Sequence, residues 1–328
     1  MRKWMVYSMA GLGMLLVVMF NLWWSYEPPL TKVRIAVSKT PLSTPVYLAR
    51  QLGYFKAAGV DVDLIEVAGG HRSFQKVREG DAEFGTSSDS VIMFGAFQTD
   101  SVVNVATFVQ SDNDIKILVL ADSKIYRSAD LLNRRVGVVS KSASEYFLDV
   151  FLSIDGLKSA QIVKVVLQPE HMQDALTTGE VDAIVVWEPY AYKAVKLLGD
   201  SVRILPGKSM FSITFNLVAQ RAWVAKHPEA SRAVLLALQN SINFVHQYPQ
   251  ESQQLMRSRL GLEQSFFDWV WDDYLFKLSL NRSLVYGLQS QAHWAMENGL
   301  VTAERAPDYR QIIDAEPLQG VASQAVAF

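Results

Sequence analysis

From Val33 to Leu205, short runs of apolar and β-branched residues alternate with stretches whose apolar positions recur at helical spacing. This alternation predicts an α/β chain with mostly parallel sheets flanked by helices. Strands are expected over 33–38, 61–67, 82–86, 102–108, 115–121, 135–139, 162–167, 181–187 and 202–205. Helices are expected over 45–53, 72–79, 89–97, 128–133, 143–153, 171–178 and 189–197. Ser212–Val218 reads as a returning strand, after which the chain becomes helical. Ala222–Tyr248 and Gln250–Arg259 are the clearest helices, with His227-Pro228 and Tyr248-Pro249 marking boundaries. The tail after Glu316 reads as frayed.

Two stretches repeat each other. Val33-Arg-Ile-Ala-Val-Ser-Lys39 is echoed by Val136-Gly-Val-Val-Ser-Lys141, and Gly80-Asp-Ala-Glu-Phe-Gly85 by Gly179-Glu-Val-Asp-Ala-Ile184. A spacing of about 100 residues is that of a whole α/β domain, because solenoid repeats recur every 20–50 or so. The organisation expected is therefore two lobes: residues 33–121 with 206–328, and 122–205 between them. Two crossings of the chain make a hinge, and the strand-end loops of both sheets face one cleft, where open α/β sheets bind ligands.

The first 26 residues stand apart. Arg2 and Lys3 precede a run from Trp4 to Trp24 broken only by Ser8, Asn21 and glycines. That is close to the ~20 residues needed to cross a bilayer. It ends in Asn21-Leu-Trp-Trp-Ser-Tyr26, with no small-residue cleavage pattern. An uncleaved anchor fits better than a cleaved signal. The positive end stays in the cytoplasm, so the body sits on the periplasmic side of the inner membrane, joined through residues 27–32.

Composition narrows the chemistry. Apolar residues make up 50% and charged residues 20% of 328, with a formal net charge of −2, so nucleic acid is not an expected partner. There is no cysteine, which removes disulfides, thiolate metal sites and a cysteine nucleophile. The five histidines lack the spacing of a metal motif, so neither a metal nor another cofactor is expected.

Three motifs carry a resemblance. Gly80-Asp-Ala-Glu-Phe-Gly-Thr-Ser-Ser-Asp89, Val139-Ser-Lys-Ser-Ala-Ser144 and Gly179-Glu-Val-Asp-Ala-Ile-Val-Val-Trp-Glu-Pro-Tyr190 resemble the periplasmic solute-binding proteins of ABC importers for nitrate, sulfonates, taurine, bicarbonate and thiamine-precursor pyrimidines. The resemblance continues through Lys226-His-Pro-Glu229 and covers about residues 33–260. It implies a two-lobed, type II-like periplasmic-binding-protein fold and no catalysis. The implied partners are a small organic anion or heteroaromatic ligand, the membrane subunits of an importer, and the inner membrane through the N-terminal helix.

Candidate ligand contacts follow from the strand-end loops. Thr44-Pro45 opens a helix, with Thr44 as cap, and its turn and Ser38 can hold an anion. Ser87 and Ser88 end a strand, while Asp89 suits a cap. Ser142 and Glu145 fit a capping box, leaving Ser144 as a further candidate. Trp187 can stack on a planar group, and Glu188 either caps the next helix or binds an amine. Arg72 can fork onto an anion, and Lys39 and Lys141 are comparable candidates. Thr214 on the returning strand completes the set. Trp269, Trp271, Tyr274 and Phe276 read as core or interface. Two other functions compete: an enzyme on the same two-lobed fold, disfavoured by the missing cysteine and by cleft loops without a paired His and acid, and a membrane-tethered ligand sensor.

Overall fold

Apolar runs such as Val102–Ser111 and Ile115–Leu120 are buried along nearly their whole length at the centre of the sheets. In the computed structural model, which describes residues 30–328, twelve strands form two sheets. The larger has the order β12-β11-β4-β10-β3-β1-β2 and the smaller β7-β6-β8-β5-β9. The strands are β1 (Thr31–Ser38), β2 (Val60–Val67), β3 (Phe84–Ser88), β4 (Val102–Ser111), β5 (Ile115–Leu120), β6 (Arg135–Val138), β7 (Val163–Val166), β8 (Ala183–Trp187), β9 (Val202–Ile204), β10 (Ile213–Gln220), β11 (Tyr274–Asn281) and β12 (Val326–Ala327). The helices are α1 (Thr44–Gln51), α2 (Tyr54–Ala57), α3 (Gly69–Glu79), α4 (Asp89–Ala96), α5 (Ala143–Ser153), α6 (Met172–Thr177), α7 (Tyr190–Leu198), α8 (Arg221–Lys226), α9 (Pro228–Gln247), α10 (Pro249–Leu260), α11 (Gln264–Val270), α12 (Arg282–Glu297) and α13 (Glu316–Gln319). The expected membrane anchor lies outside the described residues. Among those described, no helix is long and apolar enough to cross a membrane.

Strand alternation builds the smaller core. Ala183 and Val185 of β8 pack with Val136, Val138 and Phe147 on one face, whereas Ile184 and Val186 pack with Met172, Leu176 and Ala191 on the other. This period of two places α5 on one side and α6 with α7 on the opposite side. The larger sheet holds a separate, bigger core that includes Phe84, Phe108, Phe215 and Phe276.

Three expectations need correction. The sheets are mixed rather than mostly parallel: β1–β3, β6–β7 and β6–β8 are parallel, but β10 runs antiparallel to β3 and β4, and β5 antiparallel to β8 and β9. Of the inverted strands, β5 and β10 are the first formed after each crossing between the sheets, and β11 with β12 follows β10 in direction. A chain entering a sheet from the cleft side must run away from the cleft, while the parallel strands run toward it. Second, β5 belongs to the smaller sheet, so the chain crosses at 112–114 rather than near 121 and returns through 205–212. Its run Ile-Lys-Ile-Leu-Val-Leu suits either sheet, and only its pairing decides. Third, the region past Gly261 contains β11, and the tail is not frayed. Leu318 is fully buried, and β12 pairs with β11 through Leu280 and Val326.

Candidate functional site

The parallel strands bring their carboxyl ends to a cavity of about 1680 Å³ between the two sheets. Ser38 ends β1, Val67 ends β2 and Ser88 ends β3 on one side, while Val139–Ala143 follow β6 and Trp187 ends β8 on the other. The inverted strands arrive with their starts, so Asp114, Ile213 and Phe215 also line it. This is the placement that open α/β sheets give their ligand sites.

Four helix beginnings reach the cavity: Gly69, Gly70 and His71 of α3, Ser88 before α4, Ser142 and Ala143 at α5, and Pro189 and Tyr190 at α7. Unsatisfied amides at such ends favour anions. Neither α3 nor α4 has a side-chain bond from its N-cap residue, but at α4 Asp89 Oδ1 accepts from the Ser90 amide at 2.8 Å. Two glycines shape the first of these ends. Gly69 has φ +80°, and a Cβ on Gly70 would stand 3.1 Å from Ser87 Cα, so the loop lies directly on β3. The end of α5 already holds a carboxylate. Glu145 accepts from the Lys141 amide at 2.8 Å and from Lys164 Nζ at 3.0 Å, and Lys141 takes a left-handed φ of 54° at this turn.

Charge in the cavity is unbalanced. Lys39, Arg72, Lys141 and Lys193 line it, and none has a carboxylate within ion-pair distance among the described residues. Its three acids are already engaged. Glu66 pairs with Arg259 at 2.5 Å, Glu170 accepts from Tyr190 Oη at 2.8 Å, and Asp114 accepts from Tyr274 Oη at 2.9 Å. Burial, then the nearby Glu188 carboxylate, push Asp114 up to about 7. Burial likewise raises Asp89 to about 7, against the opposing hydrogen bonds from Ser90 and Gln291. Desolvation and then the Arg78 charge hold His71 below its ordinary value, which favours the neutral ring at pH 7.

The sequence candidates divide. Ser38, Arg72, Ser88, Ser142 and Trp187 line the cavity, as do Lys39 and Lys141. The hydroxyls of Ser38, Ser88 and Ser140 make no hydrogen bond among the described residues, whereas Ser142 Oγ donates to Val139 O at 2.6 Å and accepts from the Ser144 amide at 3.2 Å. Thr44, Ser87, Ser144, Glu188 and Thr214 do not line it. Thr44 is the first residue of α1 rather than its cap, and its hydroxyl donates to Pro41 O at 2.6 Å. Ser87 Oγ donates to Gly70 O at 3.1 Å, Ser144 Oγ lies 2.9 Å from Ser142 Oγ, and Thr214 Oγ1 accepts from Asn216 Nδ2 at 3.0 Å. Glu188 is buried against Lys116 and Trp269. In each case a nearer partner has already satisfied the group.

Sequence reading missed Tyr190 and Lys193, which follow the Trp-Glu-Pro motif, and the apolar wall formed by Val91, Phe94, Phe97, Leu300 and Val301. The spacing of 91, 94 and 97 marks one helical face, but core residues show the same spacing. Tyr274 and Phe276 are buried as expected, and Trp269 links the two sheets through Glu188.

Comparison with known proteins agrees with this fold. The family model described as NMT1/THI5 like matches residues 40–252. The putative aliphatic sulfonates-binding protein of Escherichia coli is 25% identical over 231 residues, 70% of this chain and 72% of that protein. The taurine-binding periplasmic protein of the same organism is 26% identical over 205 residues, 61% of this chain and 63% of its own length. Among solved structures, the periplasmic aliphatic sulphonate binding protein of Escherichia coli superposes with a TM-score of 0.74 at 24% identity, covering 88% of this chain and 92% of that one.

Proposed function

The chain belongs to the NMT1/THI5-like family, and from that premise we propose that it is an extracytoplasmic solute-binding protein that captures a small organic anion, of the sulfonate class, for an ABC importer. The observation that carries this reading is the set of four cations, Lys39, Arg72, Lys141 and Lys193, facing a cavity whose acids are otherwise engaged. All four are exposed to the open cleft, and an anionic ligand entering it supplies the charged partner that the fold leaves out. The amides at the starts of α3 and α4 and the free hydroxyls of Ser38, Ser88 and Ser140 add uncharged donors around the same head group.

The reading extends to motion and location. Residues 30–111 with 213–328 form one lobe and 115–204 the other, and the crossings at 112–114 and 205–212 act as the hinge on which the cleft closes. Residues 1–26 anchor the body to the inner membrane. Their long apolar run and aromatic end support this, as does the absence of a lipid-accepting cysteine.

The test is calorimetric titration of the full-length protein with methanesulfonate, taurine, nitrate and a pyrimidine. A saturable heat with the sulfonates that weakens as salt rises is expected. No binding of any anion overturns the proposal.

A further inference from the structure

The cation-lined part of the cavity accounts for a head group, but much of the remaining wall is apolar. One strip of that wall has a direction. Ser88 stands just before α4 at the cavity, and Val91, Phe94 and Phe97 line the same cavity at successive three-residue steps along that helix. Leu300 and Val301, which follow α12, line it too, and α12 packs on α4 through Phe94 and Trp294, with ring centroids 6.4 Å apart. Val91, Phe94, Phe97, Leu300 and Val301 are each only half-buried, although each also touches the core of the larger sheet. Apolar surface gathered in a cavity rather than scattered over the exterior marks a site for apolar ligand atoms.

We infer that the ligand is an anion carrying an extended apolar body, with its charged group at the Ser88 end of α4 and its body laid along the Val91–Phe94–Phe97 face toward Leu300. This deepens the proposed function and rests on it. At a rise of 1.5 Å per residue, the nine steps from Ser88 to Phe97 span about 13 Å. A one- or two-carbon sulfonate leaves most of that strip wet, while a long alkyl or fused aryl sulfonate covers it. The specificity elements lie partly beyond the family match, which ends at residue 252, because Leu300 and Val301 are supplied by the C-terminal segment.

The experiment is titration of the full-length protein with linear alkanesulfonates from methane- to octanesulfonate. The affinity is expected to rise about fourfold per methylene, the factor that ~0.8 kcal/mol per buried CH₂ gives at ~1.4 kcal/mol per decade. Phe94→Ser and Leu300→Ser are expected to reduce that slope. Leu300 lies outside the helices, so its variant keeps the test decisive if Phe94→Ser fails to fold, as thermal melts will show. Methanesulfonate binding with no dependence on chain length overturns this inference and leaves the proposed function standing. Wild-type slopes in both folded variants overturn the placement along α4. Failure of every sulfonate to bind overturns both readings.

Discussion

Lys116 Nζ and Glu188 Oε1 stand 2.8 Å apart, with side chains 4% and 0% exposed. Lys116 lies on β5 just after the chain crosses to the smaller sheet, and it also donates to Asn113 O at 2.5 Å. Glu188 accepts in addition from Trp269 Nε1 of α11 at 2.7 Å and from the Tyr192 amide at 2.9 Å. One carboxylate thus fixes the crossing, the start of α7 and a helix packed on the larger sheet. Glu188→Gln leaves the lysine charge buried and is expected to cost about 3–5 kcal/mol, whereas Lys116→Met with Glu188→Leu costs much less. Urea unfolding of both variants checks this, and equal losses would contradict it.

Asp114 gives stability a pH dependence of unusual sign. Its folded pKa of about 7 lies above the ~3.9 of an unfolded aspartate, so the folded protein holds the proton more tightly. The contribution is complete below about pH 4 and is lost as pH rises through 7. Asp114→Asn removes the cost of a buried charge, so its melting temperature should gain on the wild type by a few degrees between pH 5 and pH 8. A constant difference across that range would refute the assignment. Because Asp114 lines the cavity, wild-type anion affinity should also fall above pH 7.

Arg72 and Lys141 approach the cavity from opposite sheets, Arg72 in the first turn of α3 and Lys141 after β6. Charge-assisted hydrogen bonds contribute about 1.5–3 kcal/mol, so alanine at either position should weaken anion binding by roughly tenfold or more. Each variant should also show less salt dependence than the wild type. Calorimetry at low and high salt measures both effects, and an undiminished affinity in Arg72→Ala would remove that residue from the site.

Gly95 lets α4 lie close against α3. A Cβ there would stand 2.3 Å from Phe74 Cζ, a ring that is 5% exposed. Gly95→Ala should destabilise by about 1–3 kcal/mol through overpacking. Gly287 on α12 is the matched control, since nothing lies within 4 Å of its Cβ position. Gly287→Ala should stabilise by about 0.5–1 kcal/mol from helix propensity. Thermal melts that place both variants on the same side of the wild type would refute the packing argument.

The C-terminal tail closes the larger core. Pro317 and Leu318 are buried, Glu316 pairs with Arg232, and Val326 pairs with Leu280. Deleting residues 316–328 should cost about 3 kcal/mol or more, the scale of removing a buried leucine together with its neighbours. Retention of the wild-type urea midpoint would show the tail to be dispensable.

Much of the fold was legible locally. The strands at 135–139 and 181–187 and the helix at 143–153 emerge within one or two residues of their expected ends, because each is a short apolar run or an amphipathic stretch between turn residues. β11 was not legible, since Tyr-Leu-Phe-Lys-Leu-Ser-Leu-Asn lies among helices and its alternation becomes meaningful only beside β4. In the site, the strand-end serines pointed to the cleft, but not to which of two adjacent serines faces it. Ser88 lines the cavity while Ser87 donates to Gly70, because neighbouring strand residues point to opposite faces.

The amino-acid order by itself determined most of the elements, the doubled α/β plan and the strand-end loops, since periodicity and turn chemistry act over a few residues. Tertiary structure alone decided that β5 joins the smaller sheet, that Glu188 serves Lys116 rather than a ligand, and that Lys39, Arg72, Lys141 and Lys193 are left without carboxylates. The reason is physical: a polar group's role depends on which partner stands within hydrogen-bonding distance, and those partners lie tens to hundreds of residues away along the chain.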